Sequence, residues 1–248
     1  MTMTAPDFAR GGVSAELLRV VDLAKHYGGE AAIAGVTFSA AAGEVLGIVG
    51  PNGAGKTTLL EAIAGLVAAD SGDVFWRGDA LPSSRRKAAM FYLPDGVKPY
   101  ADRFTIEVLR FFAGVYRRSA SDVASAIASL ELGPVLRKRV SALSKGYSRR
   151  LLLAIGLLTP HLVLLMDEPF DGFDLRQTRN IVEVLRKAAG VGRTFILAIH
   201  QLADAERVCD RFILLAGGQV RGIGTLRELR TQTDIPRGSL EEIFLALT

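Results

Sequence analysis

The sequence predicts an α/β fold with a mainly parallel sheet, and three short apolar runs carry that prediction. The runs lie at residues 45–49, 162–166 and 195–199, and a polar segment directly follows each of them. Unbroken apolar runs of this length are typical of parallel strands that are buried on both faces. Ligands of open α/β sheets collect at the carboxyl ends of such strands. The three polar segments therefore predict one shared site.

The remaining elements follow from alternation and from helical periodicity. Alternating side chains predict strands near the N-terminus, at residues 16–22, 36–40 and 73–77. Helical periodicity predicts helices at residues 58–67, 106–116, 121–130, 148–158 and 175–189. Thr105 is the predicted N-cap of the second of these helices. Ser239 and Glu242 form a capping box that predicts a closing helix.

Composition restricts the class of protein. A chain of 248 residues with 49% hydrophobic residues can bury the core of one large domain. Its single cysteine, Cys209, rules out an internal disulfide framework and favours a reducing compartment. The longest apolar stretch, residues 151–166, is interrupted at 159–161 and is shorter than the roughly 20 residues of a bilayer span. Residues 1–12 lack an apolar core and are expected to form a disordered tail.

Charge is distributed unevenly along the chain. The net charge is +4, yet residues 85–150 hold 14 Lys and Arg against 5 Asp and Glu. This basic segment fits a solvated helical surface, a membrane-proximal face beside anionic lipid headgroups or a partner loop, or a nucleic-acid patch. Aromatic residues are not interleaved with its basic pairs, so no nucleic-acid partner is expected.

The polar segment after the first apolar run is a phosphate-binding motif. Residues 50–57, GPNGAGKT, satisfy G-x-x-x-x-G-K-[ST], whose glycines let backbone N–H groups face phosphate oxygens. Lys56 would reach the β- and γ-phosphates, and Thr57 would offer its hydroxyl to Mg²⁺. The motif predicts a P-loop NTPase core. The predicted nucleotide-binding residues are Gly50, Asn52, Gly53, Ala54, Gly55, Lys56, Thr57 and Thr58.

The other two polar segments supply acids and a histidine. Asp167 would hold Mg²⁺, and Glu168 would orient or deprotonate an attacking water. His200 follows the third run and is a candidate for contacting the γ-phosphate, although a lone histidine at a strand end is usually structural.

The segment LSKGY at residues 143–147 resembles the LSGGQ signature of the ATP-binding cassette (ABC) family. Together with the glycine loop and the acids, it extends the resemblance over nearly the whole chain. The resemblance implies an ATPase domain at residues 13–230, with an N-terminal antiparallel β subdomain and a helical subdomain inserted at about residues 96–150. A C-terminal helical tail would occupy residues 231–248.

The resemblance also implies roles for single residues. Ser144, Lys145 and Gly146 would bind, in trans, the γ-phosphate of ATP held by a second copy of the chain. Tyr27 lies where the family stacks an aromatic ring on adenine, and Asp174 lies at the acid of the D-loop. His200 falls at the position of the family's switch histidine, and Glu168 at that of its catalytic acid.

The chain departs from the family pattern at three positions. Asp95 replaces a glutamine, Lys145 a glycine, and Tyr147 the signature glutamine. If the Asp95 carboxylate reaches the metal, Mg²⁺ affinity should rise; if it does not, it should repel the γ-phosphate or point into solvent. We expect the first arrangement, because unpaired repulsion would oppose closure of the site.

The Ser-Lys-Gly signature resembles a branch of exporter ATPases that serve separate permeases for drugs, lipids or polysaccharides. The resemblance implies an ATPase with ATP and Mg²⁺ as cofactors, acting as a homodimer on the cytoplasmic face of the membrane, with the permease at residues 95–104. A soluble ABC ATPase of translation or DNA maintenance, and a weakly hydrolysing regulatory subunit, are the alternatives. A small GTPase is not expected, because the Asn-Lys-x-Asp guanine motif does not occur.

Overall fold

A computed structural model describes residues 16–248; the tail predicted for residues 1–12 lies outside them. The larger of two sheets is parallel except for one edge strand (Gln219–Gly224), which runs antiparallel to its neighbour. Its strands, in order across the sheet, are β10 (Gln219–Gly224), β9 (Arg211–Ala216), β3 (Val45–Val49), β8 (Thr194–Ile199), β7 (Val163–Asp167) and β6 (Met90–Leu93).

The smaller sheet is antiparallel and is built mainly from the N-terminal part of the described chain. Its strands, again in spatial order, are β2 (Glu30–Ala41), β1 (Glu16–Tyr27), β4 (Ser71–Trp76) and β5 (Asp79–Ala80). The predicted α/β class, with a mainly parallel sheet and an N-terminal antiparallel one, is confirmed.

Helices connect the strands and cover both faces of the parallel sheet. They are α1 (Lys56–Ala64), α2 (Ser83–Ala89), α3 (Thr105–Val115), α4 (Ala120–Ser129), α5 (Lys145–Leu158), α6 (Leu175–Gly190), α7 (Leu202–Val208), α8 (Leu226–Thr233) and α9 (Leu240–Leu247). Three of them, α3 to α5, lie together between β6 and β7 in the chain, as the predicted helical insertion requires. Helix α5 ends at Leu158. Only residue 225 separates the end of β10 from the start of α8.

The start of α3 differs from the sequence prediction because of a tertiary contact. Phe104, not Thr105, is the N-cap of α3. The Glu107 carboxylate accepts from the Phe104 N–H at 3.0 Å, whereas the Thr105 hydroxyl donates to the Lys138 carbonyl at 3.0 Å. Because the Thr105 hydroxyl bonds to residue 138, it does not cap α3 in the way that the sequence pattern predicts. The capping box of Ser239 and Glu242 is confirmed.

The parallel strands are buried on both faces, as their apolar sequences predict. In β3, Val45 and Val49 pack into one hydrophobic cluster, while Leu46 and Ile48 pack into another on the opposite face. The first cluster is filled mainly by α3 to α7, and the second by α1 and the antiparallel sheet. Leu240 and Ile243 of α9 also belong to the first cluster, so the C-terminal helix packs onto the core.

Within residues 16–248, every helix is too short or too polar to cross a membrane.

Candidate active site

The glycine loop between β3 and α1 is enclosed by backbone from two other strands. A Cβ atom at Gly50 would lie 2.1 Å from the Leu215 carbonyl oxygen of β9. A Cβ atom at Gly55 would lie 2.1 Å from the Ala32 carbonyl oxygen of β2, and Gly55 also has a left-handed φ of 101°. Only glycine fits at either position, because no L side chain can shift those carbonyls aside. The loop is thus held with its N–H groups at the start of α1, as a phosphate cradle requires.

Lys56 is folded back over this loop. Its Nζ atom donates to the carbonyl oxygens of Gly50 at 2.8 Å and Pro51 at 3.1 Å, and lies 3.8 Å from Glu168 Oε1. Burial lowers the pKa of Lys56, while the charges of Glu168 and Asp167 oppose that shift. The ammonium group therefore lies above the cradle, where it can exchange carbonyl partners for phosphate oxygens.

Thr57 and Asp167 form a second polar contact beside the loop. The Thr57 hydroxyl donates to Asp167 Oδ2 at 2.7 Å. The other oxygen, Oδ1, is buried, and within the described chain it has no hydrogen-bond partner. Burial raises the pKa of Asp167, an effect that the Thr57 hydrogen bond opposes. A hydroxyl next to an unpartnered buried carboxylate oxygen fits Mg²⁺, which prefers oxygen ligands.

Glu168 and His200 meet across the ends of neighbouring strands. Residues Asp167 and Ala198 are register partners in the parallel pair β7 and β8, so the residues that follow each strand lie side by side. His200 Nδ1 lies 2.6 Å from Glu168 Oε2, and the Glu168 N–H donates to the Ala198 carbonyl at 3.0 Å. The structure thus brings the three predicted polar segments into one site. Lys56 and Thr57 of the glycine loop contact the acids after β7, and His200 after β8 contacts the same acids.

Asp95 has a partner that sequence analysis missed. Its carboxylate accepts a hydrogen bond from the Arg149 guanidinium, which also donates to the Asp167 carbonyl at 3.2 Å. The sequence predicts an Asp95 carboxylate that is free to bind a metal. Its alternatives are repulsion of the phosphate and a side chain that points into solvent. None of the three includes this ion pair. Arg149 belongs to a basic pair on α5, and one interpretation of such pairs is a solvated helical surface. Arg149 is nevertheless only 5% exposed.

The signature-like segment begins helix α5. The Ser144 hydroxyl caps the helix by accepting from the Tyr147 N–H at 3.4 Å. Lys145 is exposed, and its Nζ atom lies 2.5 Å from Asp171 Oδ2, whose pKa it lowers. A Cβ atom at Gly146 would lie 3.2 Å from the Gly172 carbonyl oxygen, so this segment packs against residues 171–173 of its own chain.

Asp174 and Tyr27 lie apart from the central cluster. Asp174 is the N-cap of α6, where its carboxylate accepts from the Gln177 N–H at 2.8 Å. Tyr27 ends β1 with half of its surface exposed, and the Lys25 ammonium lies 5.6 Å from its ring centroid. Their roles toward a nucleotide stay predictions.

The fold and this arrangement define a P-loop nucleoside-triphosphate-binding protein: a glycine loop leads from a parallel strand into a helix, and acids follow the neighbouring strand. A family model described as "ABC transporter" matches residues 33–171. The chain belongs to the ABC transporter family and is an ATP-binding cassette of its ATPase class.

Individual relatives agree with this assignment. The chain is 37% identical over 208 residues to Nod factor export ATP-binding protein I of Rhizobium meliloti (strain 1021), covering 80% of this chain and 61% of that protein. It is 29% identical to the ABC-type transporter ATP-binding protein EcsA of Bacillus subtilis (strain 168), covering 94% of this chain and 96% of EcsA. A solved structure described as an ATP binding subunit of an ABC transporter superimposes with a TM-score of 0.84 at 29% identity, covering 93% of this chain and 99% of that one.

Proposed function

We propose that this chain binds and hydrolyses Mg-ATP and drives a separate membrane permease, as part of an exporter. The observation that supports hydrolysis most directly is the convergence of Lys56, Thr57, Asp167, Glu168 and His200 at the carboxyl ends of three parallel strands. Lys56 would bind the β- and γ-phosphate oxygens, and Thr57 and Asp167 would hold Mg²⁺. When bound, the metal would neutralise charge on the phosphates.

Glu168 is the proposed general base. One of its oxygens, Oε2, is bound by His200 at 2.6 Å, which fixes the direction of the carboxylate. The other, Oε1, lies 3.8 Å from Lys56 Nζ, on the side where the phosphates would lie. A carboxylate oriented in this way can accept a proton from a water molecule that attacks the γ-phosphate. His200 would act on the water through Glu168 and would also contact the γ-phosphate.

A second copy of the chain would complete each site. The first-turn N–H groups of α5 lack partners within the helix, so the segment Ser144–Gly146 offers them to an anion. The exposed Lys145 ammonium lies at the same place, paired with Asp171, and would exchange this partner for a phosphate oxygen. ATP held by one glycine loop would be bound by this segment of the partner copy, so ATP would favour the closed dimer and hydrolysis would release it.

An exposed apolar surface supports a permease contact at residues 95–104. Val97, Tyr100 and Phe104 of this segment are exposed, and so is Phe111 of α3. The rings of Tyr100 and Phe111 pack edge to face with centroids 5.1 Å apart, so the two elements share one patch. A patch of this kind fits an apolar partner surface.

The direction of transport is proposed from the relatives, because the name of the Rhizobium protein includes Nod factor export. In this proposal the chain lies peripherally on the cytoplasmic face of the membrane, bound to its permease. Two alternatives are separated from this proposal by experiment. A low ATPase rate of the isolated chain would favour a regulatory subunit with weak turnover. Co-purification with ribosomes or DNA instead of membranes would favour a soluble ABC ATPase.

The first test removes the charge of Lys56. We expect Lys56→Ala to abolish turnover and to weaken ATP binding by about 1.5–3 kcal/mol, the contribution of a hydrogen bond to a charged group. Isothermal titration and phosphate release measure the two effects. Lys187→Ala, a change at an exposed residue of α6, is the control. Hydrolysis at the wild-type rate in Lys56→Ala would show that this loop is not the active one.

The second test concerns the dimer. Glu168→Gln keeps the shape of the side chain but removes the base, so turnover should fall by about 10²–10⁴-fold while ATP still binds. Light scattering on a gel-filtration column should then detect a dimer with Mg-ATP and a monomer without it. If the variant binds Mg-ATP and elutes only as a monomer, ATP-driven dimerisation of the isolated chain is excluded.

The third test locates the permease. A photo-crosslinking amino acid at position 100 should capture an integral membrane protein in cells, identified by mass spectrometry. The same group at position 191, where Val191 is 81% exposed beyond the end of α6, is the matched control. Equal capture from both positions would contradict a permease contact at residues 95–104.

A further inference from the structure

The ion pair between Asp95 and Arg149 joins three parts of the molecule at one guanidinium group. Arg149 lies in the second turn of α5, four residues after Lys145 of the signature-like segment. Its guanidinium contacts Asp95, just beyond β6, and the Asp167 carbonyl at the end of β7. We propose that Asp95 is a positioning residue that acts through Arg149 to fix α5, the helix that begins with the signature-like segment, against the ATP site, and that it is not a ligand of Mg²⁺. This inference rests on the proposed function.

Burial explains why the chain has an acid at position 95. Arg149 is 5% exposed, whereas the Asp95 side chain is 44% exposed. A counter-charge stabilises a buried cation more than hydrogen bonds to carbonyl groups alone, because it offsets more of the lost hydration. A neutral glutamine could donate or accept a hydrogen bond here, but it could not supply that charge. Asp95 therefore matches an arginine that α5 places at the carboxyl ends of β6 and β7.

The same pair limits the repulsion that Asp95 would otherwise exert on the site. The Arg149 guanidinium that binds the Asp95 carboxylate also donates to the Asp167 carbonyl oxygen at 3.2 Å, so the counter-charge of Asp95 lies at the end of β7, beside the acids of the site. Arg149 also lowers the pKa of Asp171, the partner of Lys145. The guanidinium thus serves as a shared cation for acids on both sides of the helix start, and the acid at position 95 is neutralised without a metal.

The position of the pair gives it a mechanical role. Asp95 is the first residue of the segment proposed to contact the permease, and α5 begins with the segment proposed to bind ATP of the partner copy. A movement of residues 95–104 would displace the Asp95 carboxylate, and Arg149 would transmit that displacement to α5. Loss of either partner should leave ATP binding to the glycine loop intact but misplace the signature segment.

A double-mutant cycle tests this role. The variants are Asp95→Asn, Arg149→Gln and the double variant, with Asp95→Glu as the conservative replacement that retains the charge. We expect each single variant to lower kcat by about 3- to 30-fold, the usual range for residues that couple two sites. The double variant should be no worse than the worse single variant, because both remove the same contact. KM for ATP should stay within about twofold, and Asp95→Glu should recover most of kcat.

Two further measurements separate positioning from metal binding. In the Glu168→Gln background, Asp95→Asn and Arg149→Gln should both weaken ATP-dependent dimerisation, measured by light scattering, without turnover. The Mg²⁺ concentration for half-maximal hydrolysis should stay unchanged in both. Asp79→Asn with Arg179→Gln, two exposed residues on β5 and α6, is the matched control.

The outcomes that overturn the proposal are distinct. A shift in Mg²⁺ dependence in Asp95→Asn but not in Arg149→Gln would make Asp95 a metal ligand. Additive losses in the double variant, or a dimer unaffected by either change, would show that the pair does not position the helix. Because Arg149 is buried, denaturant unfolding checks each variant, and the exposed Asp95→Asn keeps the test valid if Arg149→Gln does not fold. A wild-type chain that neither hydrolyses ATP nor dimerises would instead contradict the proposed function.

Discussion

Thr57→Val is a sharp test of the candidate metal site, because valine keeps the shape of threonine and replaces its hydroxyl with a methyl group. The Thr57 hydroxyl donates to Asp167 Oδ2 at 2.7 Å, and the other carboxylate oxygen already lacks a partner among residues 16–248. Asp167 is 4% exposed, so water cannot readily replace the lost donor. The variant would leave a buried carboxylate with neither oxygen bound.

The expected cost follows from that geometry. A hydrogen bond to a charged group contributes about 1.5–3 kcal/mol. For a chain of this length, 1 kcal/mol corresponds to about 2–4 °C in Tm, so the variant should melt about 3–12 °C lower. The control is Thr37→Val, since Thr37 donates to Asp22 Oδ1 at 3.0 Å in an exposed pair. Its free energy of unfolding should fall by less than about 1 kcal/mol.

Denaturant unfolding in EDTA measures the free energies, and repeating it with ligand tests metal binding. A ligand at 100 times its Kd stabilises the native state by about 2.7 kcal/mol. In the wild type, ATP with Mg²⁺ should stabilise more than ATP with EDTA, and in Thr57→Val this difference should shrink. If Thr57→Val unfolds at the wild-type denaturant concentration and keeps the full Mg²⁺ effect, the hydroxyl neither supports Asp167 nor binds the metal.

Two more predictions follow from packing. Gly50→Ala should abolish ATP binding, because its Cβ atom would lie 2.1 Å from the Leu215 carbonyl oxygen. Gly53→Ala has open space around the new Cβ atom, so its φ of 81° should cost only about 1–2 kcal/mol of stability. Equal ATP affinities of the two variants by calorimetry would refute the steric argument. His161 stacks on Phe91 with centroids 5.8 Å apart, and burial lowers its pKa from the usual 6.5. The His161 imidazole therefore binds a proton more readily in the unfolded chain, so the free energy of unfolding should fall as pH decreases through 6.5 towards the native pKa. In His161→Gln, this contribution to the pH dependence of the free energy of unfolding should disappear. An unchanged pH dependence in the variant would contradict the prediction.

Much of the candidate site was predictable because its chemistry is local in sequence. The motif at residues 50–57 carries its own turn, cradle and helix start, and the acids follow directly on a run that is typical of a buried strand. Parallel strands place their carboxyl ends at one edge, so the fold class predicted that His200 lies at the same edge, and the strand order, with β8 between β3 and β7, brings it into contact with Glu168. Edge strand β10 and the short helices α2, α7 and α8 were missed, because they lack a long periodic pattern.

The partners of charged side chains were decided by tertiary structure. Nothing within a few residues of Asp95 indicates that its carboxylate meets Arg149, 54 positions later, and the adjacent basic pairs of the helical segment look alike in sequence. Thr105 is likewise a good N-cap by pattern, yet its hydroxyl binds Lys138. Local sequence determines which chemistry a residue can perform and which backbone it favours, and here it determined the fold class and the phosphate loop. Which charge neutralises which depends on how α5 packs across β6 and β7, because ion pairs form between groups that only the folded chain brings within hydrogen-bond distance.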